Sequence, residues 1–429
     1  MHDVAAAAAM ICLPLEFVGL PAVPAEISLM QAAMLVAAAA MLLTTDFRRW
    51  ILRMDLPTGL FLLGNVTYLG FMAASCHFRS VDVGPGFFLA RGGVLMGAVS
   101  VALAIRRWGT ETRSVSRRRS RRTIAGFSTP MVFIGAIGLI AFQICFLAGL
   151  RNVGISPWSL VSDFTAGNKR GYIFSMQMAL GSYLYPVPAA IYQGLVPVFK
   201  NSVAESIGVI AVLVMVLGGT RRPAGRFVAA AGLAVAVVSL SRSTTIMVLT
   251  ALILLVPRLR PAVRSMLLVS VIATAMVMGW AYLYSLETAY VDDPVVRRPD
   301  ASVTSRIDQY SRALFQDRTG NQLLFGRGAN HDIGGHRIHN LLLSSWHEGG
   351  LIALAAILFQ YAAIGWRGIE VIQRGRLGVA LAALLVAGVT RTAVAGGGGY
   401  YTAAGAVAAL TFLLLADHPA FSSRRSISY

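Results

Sequence analysis

A chain of 429 residues that is 56% hydrophobic and only 13% charged cannot cover the surface of a soluble protein. Mean hydropathy of +0.67 makes it a polytopic, all-α membrane protein. The net charge of +18 does not point to nucleic acid, because the basic residues sit in short loops between apolar runs and form no spread face.

A spanning helix needs about 20 apolar residues. Windows of that kind fall at 4–22, 26–45, 56–75, 86–105, 127–149, 203–219, 226–240, 244–257, 265–286, 341–364, 377–394 and 401–416, which predicts about twelve transmembrane helices. No fixed-period repeat or Pro/Ser-rich linker divides the chain, so residues 1–429 read as a single integral membrane domain. The opening Met1-His2-Asp3 lacks a basic n-region, so 4–22 is expected to be a first span and not a cleaved signal peptide. Cys12, Cys76 and Cys145 are isolated and offer no disulfide frame and no CxxC metal pair.

Arginine-rich loops fix the cytoplasmic side. The loop 106–122 carries eight arginines against the single acid Glu111. Arg48/Arg49/Arg53, Arg221/Arg222/Arg226, Arg258/Arg260/Arg264, Arg367/Arg374/Arg376 and Arg424/Arg425 belong with it. By contrast, 287–338 holds seven acids and seven arginines, so 287–340 is the translocated loop. Residues 173–198 are apolar enough to cross, but a further crossing would put Arg221/Arg222 outside. Pro186, Pro188 and Pro197 interrupt the segment, which reads as re-entrant or lying at the outer surface; a misread span elsewhere is the alternative.

Four groups of residues could carry chemistry. Arg242 lies at an outer turn between two short spans. From Arg226 to Pro257 there are about 32 residues, or roughly 48 Å of helix, where two crossings need about 60 Å. The turn should therefore be recessed, and an arginine at that depth needs an anionic partner or a wet cavity, unless it merely snorkels. In Ser305-Arg306-Ile307-Asp308, Ser305 and Asp308 form a capping-box-like start. Ile307, Tyr310 and Leu314 then recur at helical spacing, predicting an amphipathic surface helix with that stripe turned toward the spans. Arg306, in its first turn, suits a phosphate, with a solvated arginine as the alternative; Arg312 reads as solvated.

Four of the seven histidines lie between His331 and His347. His331, Asp332, His336 and His339 could ligate zinc, but their spacing matches no standard motif, so no metal is expected. His339, next to Asn340 at the mouth of span 341–364, is matched to removing a hydroxyl proton near neutral pH. Glu348, just inside that span, should face the interior, with His347 or Arg391 as partner. Arg391 reads equally well as a phosphate contact or a snorkelling residue.

At these residues the chain resembles the O-antigen ligase/polymerase family of bacterial envelope assembly. The resemblance covers about 220–365. It rests on Ser241-Arg242-Ser243, Ser305-Arg306-Ile307, Gly326-Arg327-Gly328, His339-Asn340 and Glu348-Gly349-Gly350-Leu351, in that order and on one side. Ser243 stands where the family has Gly, and Tyr310 or Phe315 where its loop helix usually has Trp. The resemblance implies a cofactor-free, metal-independent glycosyltransferase of GT-C-like architecture in the bacterial inner membrane, with 287–340 as its periplasmic catalytic loop. Its donor would be an undecaprenyl-diphosphate-linked glycan and its acceptor a glycan or lipid, with other polysaccharide-assembly membrane proteins as partners. His339 would be the base on the acceptor hydroxyl, with Arg242 and Arg306 binding the diphosphate and Asn340 and Arg391 completing the substrate site. The alternative is a transporter or flippase of lipid-linked glycans, which would place charge at the midplane of repeated halves.

Overall fold

The computed structural model describes residues 1–18, 27–78, 85–111, 122–168, 171–172, 175–176, 178–179, 200–216, 222–239, 241, 244–245, 247–249, 251, 310, 313–314, 316–328, 338, 340–372, 385 and 402–416. These residues form helices and no strand. In chain order they are α1 (His2–Cys12), α2 (Leu29–Leu42), α3 (Thr45–Leu52), α4 (Leu56–Phe78), α5 (Pro85–Glu111), α6 (Arg122–Val153), α7 (Pro157–Thr165), α8 (Lys200–Val216), α9 (Pro223–Val238), α10 (Gly320–Phe325), α11 (Leu341–Ile372) and α12 (Ala403–Ala416).

Helix starts follow from local chemistry. Ser28 and Gln31 form a reciprocal capping box before α2, and Thr319 and Gln322 do the same before α10. Pro157 and Pro223 occupy the first positions of α7 and α9, where a missing N–H costs nothing. Among the described residues, four helices are long and apolar enough to cross a membrane: Leu56–His77, Phe88–Trp108, Thr129–Val153 and Leu341–Glu370. Five further apolar helices are shorter, at His2–Leu15, Leu29–Leu42, Val203–Val216, Pro223–Val238 and Gly405–Leu415. The first window, 4–22, is cut back to Cys12 and a short 3₁₀ turn at Leu13–Leu15, because Pro14 cannot continue an α-helix. Window 265–286 and most of 377–394, 244–257 and 173–198 fall outside the described residues.

The best-defined seam joins α4 to α11 in antiparallel fashion. At one end the Arg367 guanidinium pairs with Asp55, lies 3.2 Å from the Glu370 carboxylate and sits over the Phe412 ring at 5.4 Å. At the other end the Ser75 hydroxyl donates to the Glu348 carbonyl at 2.8 Å. Asp55 to Ser75 and Glu348 to Arg367 each rise by roughly 30 Å along their helices. The two polar contacts therefore stand about one hydrocarbon thickness apart.

The other helix ends sort the same way. Arg107 reaches Asp3 at 3.2 Å and Arg222 reaches Thr129 at 2.8 Å, at ends that the arginine pattern assigns to one side. α12 is held at both ends. Its first N–H, on Ala403, donates to the Glu16 carboxylate at 2.8 Å, and its Leu413 carbonyl accepts from Arg106 at 2.5 Å.

Burial pushes the Asp55 carboxyl up, but hydrogen bonds from Thr58 and the Arg367 guanidinium outweigh it and hold the group below its ordinary value. A carboxyl lowered on folding gives stability that is complete above its unfolded pKa and lost as pH falls through the folded one. The melting temperature in detergent should therefore drop on acidification below about pH 4. Asp55→Asn should flatten that acid limb; an unchanged limb would show that the pair contributes nothing.

Candidate active site

The loop-side end of α11 begins at Asn340, whose side-chain oxygen accepts from the N–H groups of Leu342 and Leu343 at 3.0 and 3.1 Å. This is an N-cap. It gives Asn340 a structural task beside the substrate contact inferred from the motif. Below it, Ile338 and Leu343 pack against Ala313 and Tyr310.

Here the structure corrects the predicted stripe. Tyr310 and Ala313 face the bundle, while Leu314 is half exposed. Two donors claim the Ala313 carbonyl, the Trp346 indole at 3.1 Å and Arg318 at 2.6 Å, and they fix which face turns inward.

α11 does not run unbroken. Gly350 takes φ 69° and ψ −163°, a conformation almost reserved for glycine. A break there frees the carbonyls about four residues earlier. Each of these finds a donor from elsewhere. The Trp346 carbonyl accepts from Arg318 at 3.0 Å, and those of His347 and Glu348 accept from the backbone N–H groups of Arg327 and Gly328, both at 2.9 Å. Gly326, at φ 71° and ψ −158°, crosses over this point. A Cβ on Gly326 would strike the Glu348 carbonyl, and one on Gly350 would strike the Leu324 carbonyl. The Gly326-Arg327-Gly328 step and the Glu348-Gly349-Gly350 step are thus two halves of one joint. Phe325 stacks on Phe71 of α4 at 6.1 Å and seats the joint against the bundle.

Beneath the joint lies a buried polar cluster. The Ser344 hydroxyl donates to the Glu348 carboxylate at 2.8 Å, and Tyr68 shares hydrogen bonds with Ser345 and Arg91 and feels the Glu348 charge. Ser75, Ser345 and His347 are fully buried around it. Glu348 faces the interior as expected. One of its partners is Ser344, and Arg391 lies outside the described residues. Arg91 and Tyr68 were missed by sequence reasoning. Arg91 had a signal, being the one cation inside the apolar run 86–105. Tyr68 had none.

Of the residues singled out for chemistry, Arg242, Arg306, His339 and Arg391 lie outside the described residues, as do His331, Asp332 and His336. Of the residues flanking Arg242 in sequence, Ser239, Ser241 and Thr244 are buried. Among the described residues no group of three His, Cys, Asp or Glu could hold a metal. No family model matches the chain, and no curated protein does either. The chemistry therefore rests on the chain's own residues.

Proposed function

We propose that the protein is a glycosyltransferase of the O-antigen ligase/polymerase type. It works at the periplasmic face of the bacterial inner membrane, transferring or polymerising undecaprenyl-diphosphate-linked glycan onto an acceptor sugar hydroxyl. One observation carries the reading: the Gly-Arg-Gly step and the Glu-Gly-Gly step, two separate motifs of the resemblance, meet in one joint at the foot of the helix that His339-Asn340 opens. Such a joint clamps a polar loop over the bundle and would give that histidine a rigid mount.

In this mechanism His339 takes the proton of the acceptor hydroxyl as its oxygen attacks the anomeric carbon of the donor sugar. The bond from that carbon to the diphosphate oxygen breaks, and charge collects on the leaving diphosphate. Arg242 and Arg306 neutralise that charge through paired N–H donors, a task guanidinium groups perform without a metal.

A transporter of lipid-linked glycans is the second reading, favoured by the break in α11, since transporters use interrupted helices at their sites. Against it, the freed carbonyls are filled by the protein's own loop. The test is purified protein in nanodiscs with an undecaprenyl-diphosphate oligosaccharide, with and without lipid A core, and with and without chelator. A product ladder without core marks a polymerase, and a single shifted acceptor a ligase; chelator should change neither. Absence of product, together with donor crossing sealed vesicles, would replace the transferase with the transporter.

A further inference from the structure

The joint carries a second feature that catalysis does not use. Arg318 and Arg327 bracket the short helix α10, and neither has a carboxylate partner among the described residues. Arg318 donates to the carbonyls of Trp346 and Ala313 and lies over the Trp346 ring at 4.4 Å. Arg327 donates to the carbonyl of Asp317, the residue before Arg318, at 2.9 Å, which draws the two guanidiniums toward each other. The Nε of each has no acceptor. A guanidinium has five N–H donors, so most of this capacity is unspent. Burial, and then the neighbouring Arg327 charge, lower the affinity of Arg318 for its own proton. Bringing two like charges together without a counter-charge is unfavourable unless an anion joins them.

The surface beside the arginines carries exposed leucines. α10 buries none of its residues, and Leu323 and Leu324 are exposed, as are Leu314 before it and Leu351 on the adjoining turn of α11. The backbone at Gly326 and Glu348 ties this patch to the end of the α4–α11 seam where Ser75 meets Glu348.

We infer that Arg318 and Arg327 bind the phosphate of an anionic phospholipid of the surrounding leaflet, with its acyl chains against Leu314, Leu323, Leu324 and Leu351. Charge complementarity selects the occupant. Two unneutralised guanidiniums favour a net negative headgroup over a zwitterionic one, and the leucines accept hydrocarbon. The patch is exposed, whereas the Tyr68–Arg91–Glu348 cluster is buried on the inner side of the joint. The lipid site therefore lies apart from that buried cluster, and it stands whether or not the protein is a transferase. Its effect is to tie the loop to the bilayer surface at headgroup height.

The test is native mass spectrometry of the full chain in detergent, titrated with phosphatidylglycerol or phosphatidylcholine. Wild type should retain phosphatidylglycerol at least about fivefold better, the difference expected for a cation at an anionic surface. Arg327→Gln should weaken that retention about fivefold, Arg327→Lys much less, and Arg318→Gln/Arg327→Gln should abolish the preference. Arg318 also supports Trp346, so Arg327→Gln, whose side chain supports only one carbonyl, is the deciding variant if the double variant does not fold. Equal retention of both lipids by wild type, or unchanged preference in Arg327→Gln, overturns the proposal. So does one-for-one displacement of phosphatidylglycerol by undecaprenyl diphosphate, which would assign the arginines to the donor.

Discussion

Alanine at Gly350 or at Gly326 should lower stability by roughly 3 kcal/mol or more. Each glycine holds a positive φ with ψ near 180°, and each Cβ would meet the backbone carbonyl of the opposite segment. Side-chain repacking cannot relieve that clash, because a peptide group on another element must move. The result should be an unclamped loop, seen as rapid proteolysis within 287–340 together with a lower melting temperature. Gly320→Ala is the control, since nothing lies within 4 Å of where its Cβ would stand. If the joint variants melt with the control, the crossing is not what holds the loop.

The second large effect concerns the reaction. His339→Ala should reduce turnover by about 10²–10⁴-fold while leaving donor binding near wild type, because the proton moves only as the bond forms. Arg242→Gln and Arg306→Gln should weaken donor binding roughly 10- to 100-fold, the worth of a charged hydrogen bond. Lysine at either position should restore only part of it, keeping charge but losing the planar fork. Asn340 needs a different pair of variants because it caps α11. Asn340→Ala should cost about 1 kcal/mol of stability. Asn340→Asp keeps the cap acceptor and removes only the amide donor, isolating any substrate contact. Measured as turnover and lipid-diphosphate affinity on correctly inserted protein, full activity in His339→Ala would remove it as base. Unchanged affinity in both arginine variants would remove the diphosphate assignment.

The class and the helix order were legible in the sequence because apolar length and arginine loops are local signals. Nine of the windows lie where described helices are found, with ends moved by a few residues wherever a proline or a cap intervenes. The first window failed at Pro14, which hydropathy alone does not register. The interior face of Glu348 followed from the cost of a carboxylate in lipid, but the hydrogen bond from Ser344 did not, since a serine one turn away carries no signal of its own. The order of the two glycine steps was visible, and their union was not. It depends on carbonyls freed by a break in α11, and a break cannot be inferred from a glycine that would also be tolerated in a spanning helix. The inward face of the loop helix went astray for a related reason. The periodicity favoured Leu314, whereas two long-range donors from Arg318 and Trp346 decide for Ala313.

The grip on α12 has a consequence for biosynthesis. Glu16 lies just past α1, and Arg106 lies on α5; both bind α12, made some hundreds of residues later. Until α12 arrives, the Glu16 carboxylate lacks the Ala403 N–H that joins Ser206 in donating to it, and the Arg106 guanidinium lacks the Leu413 carbonyl. The early half of the chain therefore emerges from the ribosome with polar groups committed to a partner several hundred residues away. Closure of the bundle around α12 is a late event of high contact order, slow relative to the insertion of each hairpin. During that wait the nascent bundle is the form most open to capture by membrane proteases and insertion chaperones.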